Sequence, residues 1–186
     1  AYELWDVQTA TLLWTSPGSP GSRPVWSPDA SLFAVDSVLS VAPDSLDDTK
    51  TLRVLDRSGF ELIRIDRFGG PVAWSHNGNS IAGHWAYPSE CTEPCPSQVA
   101  LHSVDSGITT LFKIASDASG PLDQYPVWSP DSTMLAFNTG VLDEEFYFGD
   151  PNVVEIVILD LVNEVAWRIP SESWVLGWIA ACPEAA

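Results

Sequence analysis

The stretch PVWSPDASLFAV occupies residues 24–35, and two close variants of it follow along the chain. They are PVAWSHNGNSIAG at 71–83 and YPVWSPDSTMLAF at 125–137. Self-similarity at an interval of tens of residues is typical of repeat architectures, in which each copy forms one supersecondary unit. We therefore interpret the rest of the chain around these three copies.

Two landmarks recur in phase. Trp26, Trp74, Trp128 and Trp178 are separated by 48, 54 and 50 residues. After each of the first three, an aspartate ends a strand-like run 30, 31 or 32 residues later, at Asp56, Asp105 and Asp160. The opening YELWD ends in the same way at Asp6. We expect Trp26, Trp74 and Trp128 to occupy equivalent, buried positions in successive inner strands, because an accidental match of both landmarks is improbable.

The repeated phrase has the chemistry of a tight turn. In Ser27-Pro28-Asp29-Ala30, proline presets φ to about −65° and aspartate suits the next position. The fourth position favours glycine, since a left-handed backbone costs other residues on the order of 1 kcal/mol. Asn77-Gly78 meets this preference in the middle unit, whereas Ala30 and Ser132 stand there in the outer units. We interpret the motif as a structural hairpin, built on the repeat residues Trp26, Asp29, Trp74, Asn77, Trp128, Asp131 and Trp178, and not as a catalytic Ser-Asp pair.

Each unit contains four short runs rich in Val, Ile, Leu and aromatic residues, bounded by Gly, Pro, Ser and Asp. Such runs predict strands, and four strands per repeat of about 50 residues predict a β-propeller blade. PVWSPDASLFAV and PVWSPDSTMLAF resemble the repeat of the TolB-like propeller family, and similar blades occur in tricorn-like and prolyl-oligopeptidase-type proteases. The resemblance covers nearly the whole chain and implies an all-β propeller of four-stranded antiparallel blades.

The blades are unevenly complete. Residues 23–66, 71–113 and 124–169 predict three whole blades, while 1–14 and 174–180 predict partial blades at the two ends. A fourth blade closed by both termini would lack a strand, so we favour part of a larger ring. The chain begins at Ala1 without a signal peptide, which favours a processed product or a fragment.

Three long insertions fall between the second and third strands of the blades, at 37–50, 84–98 and 138–152. In a propeller these connections share one face, and insertions on one face of a repeat array often bind partners. The candidate binding residues are acidic or aromatic side chains of these insertions: Asp44, Asp47, Asp48, Trp85, Tyr87, Asp143, Glu144, Glu145, Phe146, Tyr147, Phe148 and Asp150. They would recognise a cationic peptide, a sugar or an ammonium group, or else they solvate the loops and pack them onto the blades.

The net charge of −17 argues against nucleic acid and anionic membrane surfaces as partners. Calcium is compatible with the carboxylates, but neither acidic insertion matches a calcium-loop motif, and we predict no metal and no cofactor. Cys91 and Cys95 are predicted to form a local disulfide, which implies an oxidising compartment. With His84 they would make only an incomplete zinc set, and Cys182 is left over.

His76, His84 and His102 do not cluster with a nucleophile in the sequence, and no hydrolase, zinc-protease or phosphate-loop motif is present. We therefore predict a non-catalytic, periplasmic or secreted propeller that binds a protein, peptide or glycan on its insertion face. Two alternatives stay open. The chain would be an accessory propeller that admits substrate to a peptidase domain, or a structural scaffold in a surface assembly.

Overall fold

The computed structural model describes residues 3–15, 19–20, 23–40, 48–85, 98–113, 126–141, 153–171 and 177–178. These residues form fifteen β-strands in four sheets. An N-terminal hairpin consists of β1 (Glu3–Asp6) and β2 (Thr11–Thr15). Within the described residues, no helix is long and apolar enough to cross a membrane.

Three sheets follow the hairpin, and we name them blades 1, 2 and 3. Blade 1 contains β3 (Ser19–Pro20), β4 (Val25–Trp26), β5 (Leu32–Ser40), β6 (Asp48–Asp56) and β7 (Glu61–Asp66). Blade 2 contains β8 (Phe68–Trp74), β9 (Ser80–Trp85), β10 (Gln98–Ser103) and β11 (Thr109–Lys113). Blade 3 contains β12 (Val127–Trp128), β13 (Met134–Val141), β14 (Val153–Asp160) and β15 (Val165–Ser171).

All three blades are antiparallel and share one register. Trp26 pairs with Phe33, Trp74 with Ile81 and Trp128 with Leu135. The tryptophan thus marks the same point of the inner strand in each blade. The predicted all-β architecture of a partial propeller, with whole blades in the middle and partial units at the ends, is confirmed.

The core lies between the blades, because the strands alternate their side chains between the two faces of each sheet. Val54 and Leu52 of blade 1 pack with Phe68 and Ile81 of blade 2. Val99 of blade 2 packs with a second group on blade 3: Trp128, Leu135, Phe137 and Val157. Burial of each such side chain contributes about 1.5–3 kcal/mol, so most of the stability depends on contacts between neighbouring blades.

Hydrogen bonds from the repeated tryptophans join each blade to the one before it. The indole Nε1 of Trp74 donates to the carbonyl oxygen of Val25 at 3.0 Å, and that of Trp128 donates to Ala73 at 3.0 Å. Trp178 donates in the same way to Val127 at 2.9 Å. The acceptor is always the residue directly before the tryptophan of the preceding blade. We call this contact the indole–carbonyl link.

Trp26 departs from the prediction that all three rings are buried. Trp74 and Trp128 are 7% and 4% exposed, but Trp26 is 44% exposed. The reason is its position, since no inner strand precedes blade 1 among the described residues. The hairpin β1–β2 covers the neighbouring part of this face, where Trp14 meets Phe33 edge-on at 5.8 Å between ring centroids.

The prediction that Asp105 ends the third strand of blade 2 was also wrong, by two residues. Leu32 pairs with Asp56 and Met134 with Asp160, but the equivalent Ser80 pairs with Ser103. Ser103 Oγ accepts from the amide of Ser106 at 3.3 Å, and Asp105 is exposed within the turn. A serine thus fills the place that aspartate takes in the other blades.

The insertions are shorter than predicted, because the strands that flank them continue further. Ser40 still pairs with Asp48 and Val141 with Val153, so residues 37–40, 48–50 and 138–141 belong to strands. Blade 1 also gains β3, which the sequence did not predict and which pairs with β5 near Val38. The segments between the paired strands are 41–47, 86–97 and 142–152.

The inner turns have the left-handed backbone that the sequence suggested. The φ angle is +55° at Ala30, +77° at Gly78 and +62° at Ser132. Replacing Ala30 by glycine relieves the steric strain of this conformation, so we expect Ala30→Gly to raise the free energy of unfolding by up to about 1 kcal/mol. Gly78→Ala should lower it by a similar amount, about 1 kcal/mol. Urea unfolding of both variants measures the effect, and a destabilised Ala30→Gly would contradict it.

Candidate functional site

The short turns of all three blades lie on one face, which we call the turn face. Within blades, the amide of Val104 donates to the carbonyl of Asn79 at 2.9 Å, and that of Leu161 to Thr133 at 3.0 Å. Between blades, the amide of Asn77 donates to Ser132 Oγ at 3.2 Å. The connections between the second and third strands must therefore leave from the opposite face in every blade, because each blade is an antiparallel sheet. We call that side the insertion face.

The serine and aspartate of the repeated motif hydrogen-bond to each other and to their own turn. Ser27 Oγ donates to Asp29 Oδ1 at 2.7 Å and accepts from the amide of Leu32 at 2.9 Å. The pairs Ser75–Asn77 and Ser129–Asp131 repeat this arrangement at 2.7 and 2.6 Å. The polar groups of the turn face are thus occupied in holding the turns, which supports the structural interpretation of the motif.

These hydrogen bonds stabilise the ionised form of the turn carboxylates. The hydroxyl of Ser27, followed by the amide and hydroxyl of Ser31, lowers the pKa of Asp29 from 3.8 to about 2. The pKa of Asp131 is lowered by Ser129 and Thr133 in the same way. A carboxylate whose pKa is lower in the folded state stabilises the fold above its unfolded pKa. That stabilisation is lost as the pH falls through the folded pKa.

The middle blade offers a natural control for this effect, because Asn77 occupies the aspartate position and does not titrate. We expect Asp29→Asn to keep the turn and to reduce the loss of stability between about pH 4 and pH 2. Asn77→Asp should increase that loss. Urea midpoints measured at the two pH values test both variants, and equal acid sensitivity of parent and Asp29→Asn would contradict the assignment.

Three buried polar side chains lie at equivalent points of the second strands, close to the insertion face. Asp36, His84 and Asn138 are 2%, 7% and 1% exposed. Asp36 Oδ2 accepts from the amide of Gly70 at 3.1 Å. Gly70 has a φ of +80°, and a Cβ atom there would lie 3.3 Å from the Cβ of His84. Asp36 thereby fixes the backbone that enters blade 2 beneath the insertion face.

Sequence reasoning missed this row as a set, although a signal was present. Each of the three residues follows the repeat tryptophan of its blade by ten positions. A polar residue at the same place in all three repeats, within an otherwise apolar strand, indicates a structural position of the repeat rather than a solvated surface. The sequence suggested His84 only as part of an incomplete zinc site. Its equivalents in the other blades indicate that the position is structural.

The structure describes only two of the predicted binding residues. Trp85 ends β9, is partly buried and packs against the core between blades 1 and 2, which is a packing role. Asp48 begins β6 and pairs with Ser40 at the edge of the insertion face. The other candidates lie outside the described residues: Asp44, Asp47, Tyr87, Asp143, Glu144, Glu145, Phe146, Tyr147, Phe148 and Asp150. Cys91, Cys95 and Cys182 lie outside them as well.

The described residues bring together no group of three or more His, Cys, Asp or Glu side chains that could hold a metal ion. His102 is buried, with Nδ1 3.0 Å from Thr109 Oγ1, and burial lowers the pKa of its imidazole. His76 is exposed in the turn where the other blades have proline. Within the described part of the chain, the contact between His102 and Thr109 is the one side-chain hydrogen bond seen at these two histidines.

A groove of about 710 Å³ lies between the outer strands of blades 2 and 3. Its walls are mainly apolar, with Leu111, Phe112 and Leu161 among them, and Glu164 lines it as well. The sequence did not predict it, because the groove arises from how two blades diverge toward the rim. It opens beside the turns, away from the strand ends that carry the insertions.

No family model matches the chain. The enzyme 3-alpha-mycarosylerythronolide B desosaminyl transferase from Saccharopolyspora erythraea is 22% identical over 159 residues, which are 83% of this chain and 34% of the enzyme. The chain thus spans about a third of the length of this curated relative.

Similar solved structures are β-propellers and peptidases. The β-propeller domain of the Trilobed protease from Pyrococcus furiosus, described as having an open velcro topology, aligns with a TM-score of 0.56 at 16% identity, covering 82% of this chain and 43% of that one. Acylaminoacyl peptidase from Pyrococcus horikoshii aligns with a TM-score of 0.50 at 16% identity, covering 83% and 25%. A putative TolB from Agrobacterium tumefaciens aligns with a TM-score of 0.49 at 17% identity, covering 84% and 50%. The likeness concerns the fold, and the propeller that the resemblance implied is confirmed.

Proposed function

We propose that this chain is a non-catalytic propeller module that binds a protein, peptide or glycan on its insertion face. The proposal depends on one observation, which is that the two faces of the blades differ. The turn face consists of short turns whose Ser and Asp side chains bond to one another. The opposite face carries the ends of every long connection, at Ser40, Trp85 and Val141.

The charge of the insertions favours a cationic partner. Lys50 is the one lysine or arginine in the connections and their flanks. The same segments contain seven candidate carboxylates: Asp44, Asp47, Asp48, Asp143, Glu144, Glu145 and Asp150. Carboxylates on one side of the molecule add to a single negative potential, which salt screens over about 8–10 Å. A lysine-rich or arginine-rich segment of a protein fits this chemistry best, and the neighbouring aromatic rings add cation–π contacts.

The test replaces Asp143, Glu144 and Glu145 by Asn, Gln and Gln and measures binding of a lysine-rich peptide by calorimetry. Loss of three favourable charges should weaken binding about tenfold at low salt and less at high salt. Glu164→Gln, in an exposed turn on the other face, is the matched control and should bind like the parent. Equal binding by the triple variant and the parent would overturn the proposal.

A second candidate is an accessory propeller that admits or orients peptides for a hydrolase domain. Its support is that two of the similar solved structures belong to a protease and a peptidase. The reading frame around this chain distinguishes the two: a nucleophile-elbow motif in an α/β-hydrolase segment favours the accessory role. A frame that encodes only further blades favours the binding module.

The proposed location is outside the cytoplasm, either periplasmic or secreted, and depends on the predicted pair Cys91–Cys95. A disulfide four residues apart requires a sharp turn, for which Pro94 is suited. Mass spectrometry of the native protein under non-reducing conditions should find the mass of the 86–97 segment lowered by two hydrogens. Two free thiols would contradict both the disulfide and the location.

A further inference from the structure

The outer strand of blade 2, β11, forms an edge of its sheet beside the groove between blades 2 and 3. At its start, the amide of Ser103 donates to the carbonyl of Ile108 at 2.9 Å. Because backbone groups along an antiparallel pair alternate in direction, the amides and carbonyls of Thr109 and Leu111 point away from β10. Outward groups of this kind are a template on which a further strand can pair.

The outer strands of the other two blades are protected at corresponding positions. By the same alternation, Arg64 of β7 and Pro170 of β15 stand at outward positions of their strands. Charged side chains and prolines, which have no amide donor, are means by which natural sheets keep an edge from pairing. Blade 2 has the uncharged Thr109 and Leu111 at its outward positions, so its edge is the least protected of the three blades.

Small side chains on the outer strands form the groove beside this edge. Thr110 stands where blade 1 has Ile63 and blade 3 has Trp167. Ala166 lines the opposite wall, on blade 3. Where larger side chains would fill the space between the blades, these two residues leave about 710 Å³. That volume lies within the range of about 300–1,000 Å³ that is usual for ligand sites.

The side chains of the groove define the chemistry of a fitting partner. Ile108 and Leu111 line it on the side of blade 2 and are 63% and 42% exposed. Asp160 and Glu164 line it where β14 turns into β15, and the described lining contains no Lys, Arg or His. Charge complementarity therefore favours a partner with apolar side chains for the walls and a basic group at the end beside the turn.

We propose that an extended segment of a partner protein binds here as a fifth strand of blade 2, with alternate apolar side chains and a Lys or Arg at one end. Its backbone pairs with Thr109 and Leu111, its apolar side chains enter the groove, and its basic residue lies near Glu164. In strand addition, main-chain hydrogen bonds provide affinity, and pockets for alternate side chains provide specificity. A lysine-rich peptide lacks these apolar side chains, so this site and the insertion face are tested independently.

Two probe peptides of about eight residues test the proposal; both alternate Val and Thr, and they carry Arg at the amino or the carboxyl end to sample both strand directions. Each is titrated into the isotope-labelled full chain and followed by NMR. One of them should produce saturable shifts of the amide signals of Thr109 and Leu111. N-methylation of one alternate set of peptide amides should abolish this binding, because that set donates to β11. N-methylation of the other set should leave it unchanged.

Three variants of the chain locate the binding. Thr110→Trp fills the groove with the ring that blade 3 has at the equivalent position, and it should abolish binding. Leu111→Pro removes one outward amide without removing a bond to β10, and it should weaken binding roughly two- to tenfold. Arg64→Pro is the matched control, because it makes the same change at the equivalent outward position of blade 1, and it should bind like the parent.

Circular dichroism and urea unfolding verify that every variant is folded before it is compared. Binding by Thr110→Trp as strong as that of the parent would overturn the proposal. Equal binding of the two N-methylated peptides would also overturn it, since an apolar ligand that enters the groove without strand pairing gives that result. If neither probe peptide binds the parent, the edge of β11 does not accept a strand in the full chain, and the proposal is wrong.

Discussion

Trp128→Ala is expected to lower the free energy of unfolding by about 3–5 kcal/mol, which is the usual cost of removing a buried tryptophan ring. Trp128 is 4% exposed, fills the core between blades 2 and 3 and donates to the carbonyl of Ala73. Its loss leaves a cavity and leaves the carbonyl of Ala73 without this donor. Because a domain of this size is stable by only about 5–15 kcal/mol, urea unfolding should show a large shift or no folded baseline at all.

Of two further variants, one separates the effect of the ring from that of the hydrogen bond, and the other is the control. Trp128→Phe keeps most of the apolar area but loses the donor, so its cost should be nearer about 1–2 kcal/mol. Trp26→Ala removes an equivalent but half-exposed ring and should cost only about 1–2 kcal/mol. Equal destabilisation by Trp26→Ala and Trp128→Ala would contradict the inter-blade packing described above.

Gly83→Ala is the second change with a large expected effect. Gly83 lies in β9, where a Cβ atom would approach Phe68 Cε1 to 2.4 Å and Val72 Cγ1 to 3.1 Å. Phe68 is fully buried between blades 1 and 2, so it has no free space to move into. Overpacking of this kind costs about 1–3 kcal/mol, and we expect a loss in the upper part of that range.

A double-mutant cycle assigns this loss to the contact with Phe68. Phe68→Leu alone should destabilise the protein through a cavity, but Gly83→Ala combined with Phe68→Leu should cost less than the sum of the two single changes. Gly107→Ala is the control, because a Cβ atom there meets nothing within 4 Å, and only the strain of its φ of +70° remains. Additive losses in the cycle would show that the methyl group and the ring do not compete for the same space.

The sequence repeat predicted more of the fold than of the candidate site. The spacing of the first three tryptophans predicted the inner strands correctly, since one register places Trp26, Trp74 and Trp128 alike. It could not predict that Trp26 is exposed, because burial in a propeller depends on the neighbouring blade rather than on the repeat itself. The serine at 103 shows a second limit, in that a turn position can be filled by any short side chain with an oxygen acceptor.

Less of the candidate site could be predicted from the sequence. The common direction of the insertions follows from antiparallel strand order, so their shared face could be predicted. Their partners could not, because acidic and aromatic residues such as Asp143 and Tyr147 serve equally for solvation, packing and binding. Trp85 illustrates the ambiguity, since it was a candidate contact residue and packs against the core.

Hydrogen exchange of the indole Nε1 protons, followed by NMR, tests the indole–carbonyl links most directly. The spectra are assigned with single Trp→Phe variants. The indole protons of Trp74 and Trp128 should exchange at least about a hundredfold more slowly than that of Trp26, because releasing them requires separating two blades. Trp26 should exchange about as fast as the exposed Trp167. Equal exchange at Trp26, Trp74 and Trp128 would contradict the inference that successive blades are joined through their repeated tryptophans.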